Sequence, residues 1–317
     1  MSLVPGAVPP NQSFKRTAQT PAFCRGRFSL HGAGPPLNSV RRQMRTTITA
    51  ILLAFACTLA WPAESSEAVQ ASSFVVVSEA RLPDAERFRS ALEGRLKGRL
   101  KVDHFESDGK EVILLRIKGG TVMIGLIGTP LPKGTVDDLC PSAWYWKAAC
   151  EATSRHKGHI YVNVLQTSLT KLDAALLQTD VVASLMDENA IASYWGASLQ
   201  SREAFLKQSA TASPDNPPVW LWINFRVTNE PNGISISTDG MKEFGLREIE
   251  TKEVNRNARD VFLLFLGTAQ YLIQKGPVIK DGETIGESPA LNIRVRLGPS
   301  YWREGLNVYR IVFPKGE

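Results

Sequence analysis

Near Ala71 the chain changes both charge and composition, and that break decides how much of it can build a core. Residues 1 to 71 hold seven Lys or Arg against two Asp or Glu, which leaves 30 against 29 of the chain's 37 basic and 31 acidic residues for the rest. The formal net charge of +6 is therefore almost entirely the leader's. A body that bound nucleic acid would carry a clustered basic face to neutralise phosphates. The densest basic run, Arg87 to Lys101, instead interleaves Phe88, Leu92 and Leu96 at helical spacing, which turns its charges to solvent. No nucleic-acid partner is expected.

Residues 1 to 43 are rich in Pro, Gly and Ser and lack apolar periodicity, so they are expected to stay disordered. From Met44 the pattern changes. Arg45 gives a basic start, Ile48 to Trp61 an apolar run, and Ala63, Ala68 and Ala71 small residues, which together resemble a secretory signal peptide over 44–71. Met44 is then the expected initiator, and export to the periplasm or cell envelope the expected destination, with the cytoplasm as the alternative. The apolar run of about 14 residues falls short of the roughly 20 a spanning helix needs, so no permanent membrane span is expected. Phe55, two residues before Cys57, stands where a lipoprotein signal wants a small residue.

About 245 residues follow Ala71, and no Pro/Gly/Ser linker divides them cleanly, so residues 72–317 are read as one domain. Strands are expected at Phe74 to Val77, Val112 to Ile117, Thr121 to Ile127, His159 to Leu165, Val219 to Val227, Ile234 to Ser237, Asn292 to Leu297 and Val308 to Phe313. Helices are expected around Phe88 to Leu96, Pro141 to Ser154, Leu169 to Met186 and Asn257 to Gln274. Short turns such as Gly119-Gly120 join several neighbouring strands, which argues for an α+β fold whose mixed or largely antiparallel sheet packs against three to four helices. A doubly wound parallel sheet is the runner-up. Ten residues of continuous helix would hold Cys140 and Cys150 about 15 Å apart, beyond disulfide reach, so this pair is expected to remain reduced.

The common catalytic signatures are absent from the body. Gly286-Glu287-Ser288-Pro289-Ala290 and Gly233-Ile234-Ser235-Ile236-Ser237 lack the last Gly of a nucleophile elbow, and Lys133-Gly134-Thr135 has the wrong order for a phosphate loop. His156-Lys157-Gly158-His159, with Glu151 upstream, holds two imidazoles that zinc accepts as ligands, a third ligand coming from Glu248 or Glu250. Histidines at a helix C-terminus also bind its carbonyls, the plainer reading. Glu248 and Glu250 share a face if they lie on a strand, as paired carboxylates must for acid-base work; an exposed strand face, with Arg247 and Lys252 as neutralising neighbours, explains them as well. Trp195, Trp220 and Trp222 either fill a core or line a binding groove, and Trp220 and Trp222 would share one strand face. No cofactor is evident beyond the zinc alternative.

The Trp-rich helix, His156-Lys-Gly-His159, Tyr194-Trp195-Gly196, Trp220-Leu-Trp222, Thr238-Asp-Gly240 with Phe244-Gly245 and Glu248, and Asp281-Gly-Glu-Thr284 occur in this order. The run from Ser73 to Phe313 thereby resembles the bacterial family called domain of unknown function 4261. The resemblance implies no established activity, substrate or catalytic residue, and relatives mostly lack an export signal. The expectation is a binding or interaction module rather than an enzyme. A metal-dependent hydrolase using His156 and His159 and a toxin-neutralising, immunity-type protein are the alternatives; the partner is a protein or small molecule.

Overall fold

Strand β1 (Ser73–Val77) is buried on both faces, which is why Phe-Val-Val-Val reads as a continuous apolar run rather than an alternation. The computed structural model describes residues 72–165, 168–286 and 292–314. The leader with Met44 and Cys57, and the Glu287 to Ala290 part of the elbow-like stretch, lie outside the described residues. Helix α1 (Ala85–Leu96) follows, capped by Asp84, whose carboxylate accepts from the Arg87 backbone N–H at 2.9 Å. It buries Phe88, Leu92 and Leu96 along one stripe. A meander of β2 (Val102–Ser107), β3 (Val112–Ile117) and β4 (Gly120–Ile127) leads, through a long crossing segment, to β5 (Gly158–Leu165). With β6 (Ala190–Trp195) and β7 (Ser198–Ser201) they form a seven-stranded sheet in the order β2-β3-β4-β5-β1-β6-β7. All of its pairings are antiparallel.

Helix α2 (Ala149–Ser154) ends the crossing segment, and α3 (Lys171–Leu185) packs against α1 and the sheet. Every residue of α3 from Ala174 to Leu185 is buried, so its apolar residues are spread round the helix rather than striped, with Gln178, Thr179, Asp180 and Ser184 buried among them. Short helices α4 (Arg202–Ser209) and α5 (Val219–Trp222) carry the chain to a second sheet. Its strands are β8 (Asn224–Glu230), β9 (Gly233–Asp239), β10 (Ile249–Val254), β11 (Thr284–Ile285), β12 (Ile293–Pro299) and β13 (Asn307–Val312), ordered β11-β12-β13-β10-β9-β8. Only β10 and β13 run parallel, so the architecture is α+β and the doubly wound alternative does not apply. Helix α6 (Ala258–Lys275) lies between β10 and β11 in the chain and buries Val261, Phe262, Phe265, Ala269 and Leu272. One continuous apolar core draws on both sheets. Among the described residues no helix is long and apolar enough to cross a membrane.

Three local expectations are corrected. Residues 141–154 are not one helix: a 3₁₀ turn at Cys140–Ser142 is followed by turns, and α2 begins only at Ala149. The chain consequently folds back on itself, the Cα atoms of Cys140 and Cys150 lie 5.0 Å apart, and the two cysteines form a disulfide rather than remaining reduced. Residues 219–222 are helical, and the strand starts only at Asn224. Pro217 and Pro218 explain this, because the backbone N–H of Leu221 bonds the Pro218 carbonyl at 2.8 Å and opens a turn where a strand would need extended pairing.

Candidate functional site

The histidine pair is held by backbone. The Leu131 N–H donates to Nε2 of His156 at 2.8 Å, while Nδ1 lies 2.6 Å from the Thr153 carbonyl. A carbonyl only accepts, so the Nδ1 proton is fixed and both ring nitrogens are engaged. His159, on β5 and 4% exposed, places Nδ1 3.0 Å from the Thr129 carbonyl and its ring against Phe74. Burial pulls its basicity down, and neighbouring His156 adds to that. The two rings thus tie residues 129–131 to α2 and β5. Glu151 pairs with Arg155 at 2.8 Å on the exposed side of α2. Among the described residues no three His, Cys, Asp or Glu side chains are grouped so as to hold a metal ion.

Glu248 and Glu250 are almost fully buried, and each has its own set of donors. Glu248 accepts from the Thr238 hydroxyl at 2.7 Å and from the backbone N–H groups of Gly240, Met241 and Lys242 at 3.0, 3.3 and 3.4 Å. The Thr238 oxygen in turn accepts from the Ile249 N–H at 2.8 Å. Glu250 accepts from the Ser300 hydroxyl at 2.6 Å, the Tyr301 N–H at 2.8 Å and the Arg303 guanidinium at 3.3 Å. Arg303 also donates to the Thr238 carbonyl at 3.0 Å and lies 3.7 Å from Asp239, which Arg226 meets at 3.0 Å. Both carboxylates are therefore consumed in closing loops over the second sheet. Neither of them lines the groove described below. Beside them Glu243 is half-buried; desolvation, with the charges of Glu248 and Asp239, raises its pKa against the pull of Lys242 and Lys171.

The tryptophans join this node from the other side. Trp195 of β6 and Trp222 of α5 are 2% and 1% exposed, with ring centroids 6.1 Å apart, and Phe244 lies 5.4 Å from Trp222. The Trp222 indole N–H donates to the Thr179 hydroxyl of α3 at 2.8 Å. Gly240 (φ 132°) passes so close beneath that a Cβ there would lie 2.9 Å from the Trp222 carbonyl. Trp220 does not share a face with Trp222, since both sit on a helical turn. It packs instead with Trp144, Tyr145, Phe225 and Phe262. Trp195, Trp222, Thr238-Asp-Gly240, Phe244-Gly245 and Glu248 thus converge on one packed junction, Trp220 belongs to a second aromatic cluster, and Tyr194 stacks on Phe74 beside His159. Sequence reasoning missed Ser300 and Arg303, which complete the Glu250 shell from fifty residues away and carry no local signal.

It also missed an open groove of about 1060 Å³ between α6 and the β11–β12 edge, lined by Leu263, Leu264, Gly267, Tyr271, Ile285 and Ile293 among others. Arg256, Asp260 and Glu283 stand at its polar margin. Leu263 and Tyr271, on the side of α6 away from the core, are 49% and 48% exposed.

Fold and site together define an α+β protein whose buried carboxylates, imidazoles and indoles serve the junctions between its elements. The family whose model matches it is described as Domain of unknown function (DUF4261), over residues 237–312. That segment supplies Thr238, Glu248, Glu250, Ser300, Arg303 and all of α6, and it agrees with the resemblance read from the sequence. No curated protein matches the chain.

Proposed function

We propose that this chain is an exported protein-binding module rather than an enzyme, and that its partner docks in the groove between α6 and the β11–β12 edge. The observation that carries this reading is the placement of apolar surface. Eight large hydrophobic side chains are exposed among the described residues, and the seven from Leu263 to Val312 all fall within the span matched by the family model. Leu263, Tyr271 and Val278 among them line the groove. Contiguous apolar surface with a polar rim is characteristic of protein partners. The candidate catalytic groups, by contrast, spend their hydrogen bonds within the fold, which weighs against the metal-dependent hydrolase. A disulfide is at home in an oxidising compartment, which with the signal-like segment at 44–71 supports the envelope over the cytoplasm and disfavours an intracellular toxin-neutralising role.

The test places a photo-reactive amino acid at position 271, at 263 and, as a control, at exposed Arg155, in the full chain in the cells that make it. A single protein cross-linked from 263 and 271 but not from 155, and lost when Leu263→Asp is combined with the probe at 271, is the expected result. The same set of proteins from all three positions, or none from the groove, would overturn the reading.

A further inference from the structure

The segment between Cys140 and Cys150 touches both sheets, although it contains little regular structure of its own. Towards the first sheet, the Tyr145 hydroxyl donates to the Leu199 carbonyl of β7 at 2.6 Å and accepts from the Gln200 side-chain amide at 3.0 Å. Ala143 and Ala149 sit in a small apolar cluster with Val76, Ala192 and Leu199. Towards the second, the Trp144 indole N–H donates to the Phe225 carbonyl of β8 at 2.9 Å, and the Asn224 amide donates to the Ser142 hydroxyl at 3.3 Å. The Trp144 ring lies 5.7 Å from Trp220 and 5.6 Å from Phe262 of α6. Turn bonds from Ser142 to Leu139, Trp146 to Ala143 and Ala149 to Trp146 are the segment's own backbone support. Those are weak constraints without the covalent link that returns residue 150 to residue 140.

We infer that the Cys140–Cys150 disulfide is a redox-controlled clasp: oxidised, it holds Trp144 and Tyr145 across the seam between the sheets; reduced, it releases them and uncovers the Trp220–Phe225–Phe262 aromatic cluster. Cys140 is 7% exposed, whereas Cys150 is an exposed residue, so Cys150 is the accessible end of the bond. The thiolate of a dithiol reductant attacks the Cys150 sulfur, a mixed disulfide forms, and Cys140 leaves as a thiolate that takes up a proton. The reductant's second thiolate then attacks its own sulfur in the mixed disulfide and expels Cys150. Two electrons pass from the dithiol, which becomes a disulfide, to the cysteine pair, which becomes two thiols. The clasp does not rest on the reading of the groove as a docking site.

Limited trypsin digestion of the full chain, oxidised and after dithiothreitol, reads the clasp directly, because Lys147 is exposed within the segment and Lys275, also exposed, ends α6 outside it. Cleavage after Lys147 is expected to accelerate by about tenfold or more on reduction, with cleavage after Lys275 unchanged. Trp144→Ala, which keeps the bond but removes the ring that plugs the seam, is expected to accelerate Lys147 cleavage in the oxidised protein. Equal rates at Lys147 in both redox states would overturn the clasp. So would parallel acceleration at Lys275, which would make the bond a staple for the whole fold, or two free thiols in protein isolated under oxidising conditions.

Discussion

Each buried carboxylate of the second sheet accepts from several donors at once, backbone N–H groups among them, and that makes its removal expensive. Glu248→Ala leaves the Gly240, Met241 and Lys242 N–H groups and the Thr238 hydroxyl without their acceptor, and is expected to cost about 3 kcal/mol in denaturant unfolding. Glu248→Gln, which keeps one oxygen, is expected to cost about half of that. Glu243 behaves in the opposite sense. Its folded-state pKa lies above the ordinary value of 4.5, so the fold binds its proton more tightly than the unfolded chain does. The associated stability is present in acid and is lost as pH rises through the raised value. Glu243→Gln is therefore expected to have a higher Tm than the parent near neutral pH, and the gain should vanish on acidification below the ordinary carboxylate range. A pH series of thermal melts on the two proteins checks it; a constant offset would refute it. At this scale the sequence identified charge and spacing but not donors. Glu248 and Glu250 read as neighbours on one strand face, exposed or paired for acid-base work, because Ser300, Tyr301 and Arg303, which occupy Glu250, lie far along the chain.

Elements with strong local signals were legible. The β3 run Val112–Ile117 and the helices α1, α3 and α6 lie where apolar periodicity and caps put them. Thr170 caps α3 by accepting from the Asp173 N–H at 3.1 Å, and α3 is buried between α1 and the first sheet. Thr170→Ala is expected to lower stability by about 1 kcal/mol while Thr170→Ser is nearly neutral, measured by urea unfolding. Elements set by tertiary partners were not legible. Strand β2, half of whose residues are exposed and none fully buried, lacks a regular apolar alternation to announce it and is held by its ladder to β3. In α5, Val-Trp-Leu-Trp has the composition of a strand, yet its indoles must face two different clusters, which a turn of helix allows and a strand does not. The segment 140–150 was misread for another reason: a continuous helix would hold Cys140 and Cys150 about 15 Å apart, whereas the disulfide brings their Cα atoms to 5.0 Å and so folds the chain back.

For the molecule as a whole, composition located the body and its class, but not the division of its strands into two sheets nor the seam between them. Sheet membership depends on register partners far apart in sequence, such as Ile249 with Tyr309, and nothing local encodes them. The groove beside α6 escaped for a related reason, since a helix apolar on more than one side reads as fully interior until its neighbours are known. One consequence lies in the order of manufacture. The first sheet is built around β1, the earliest described strand, which sits between β5 and β6. The second is built around β13, the last, which inserts between β12 and β10. As the polypeptide emerges, β8, β9 and β10 must therefore wait with an open edge while α6, β11 and β12 are made. The half bearing the groove becomes a finished surface only once Phe313 and Pro314, which help to line it, have been made.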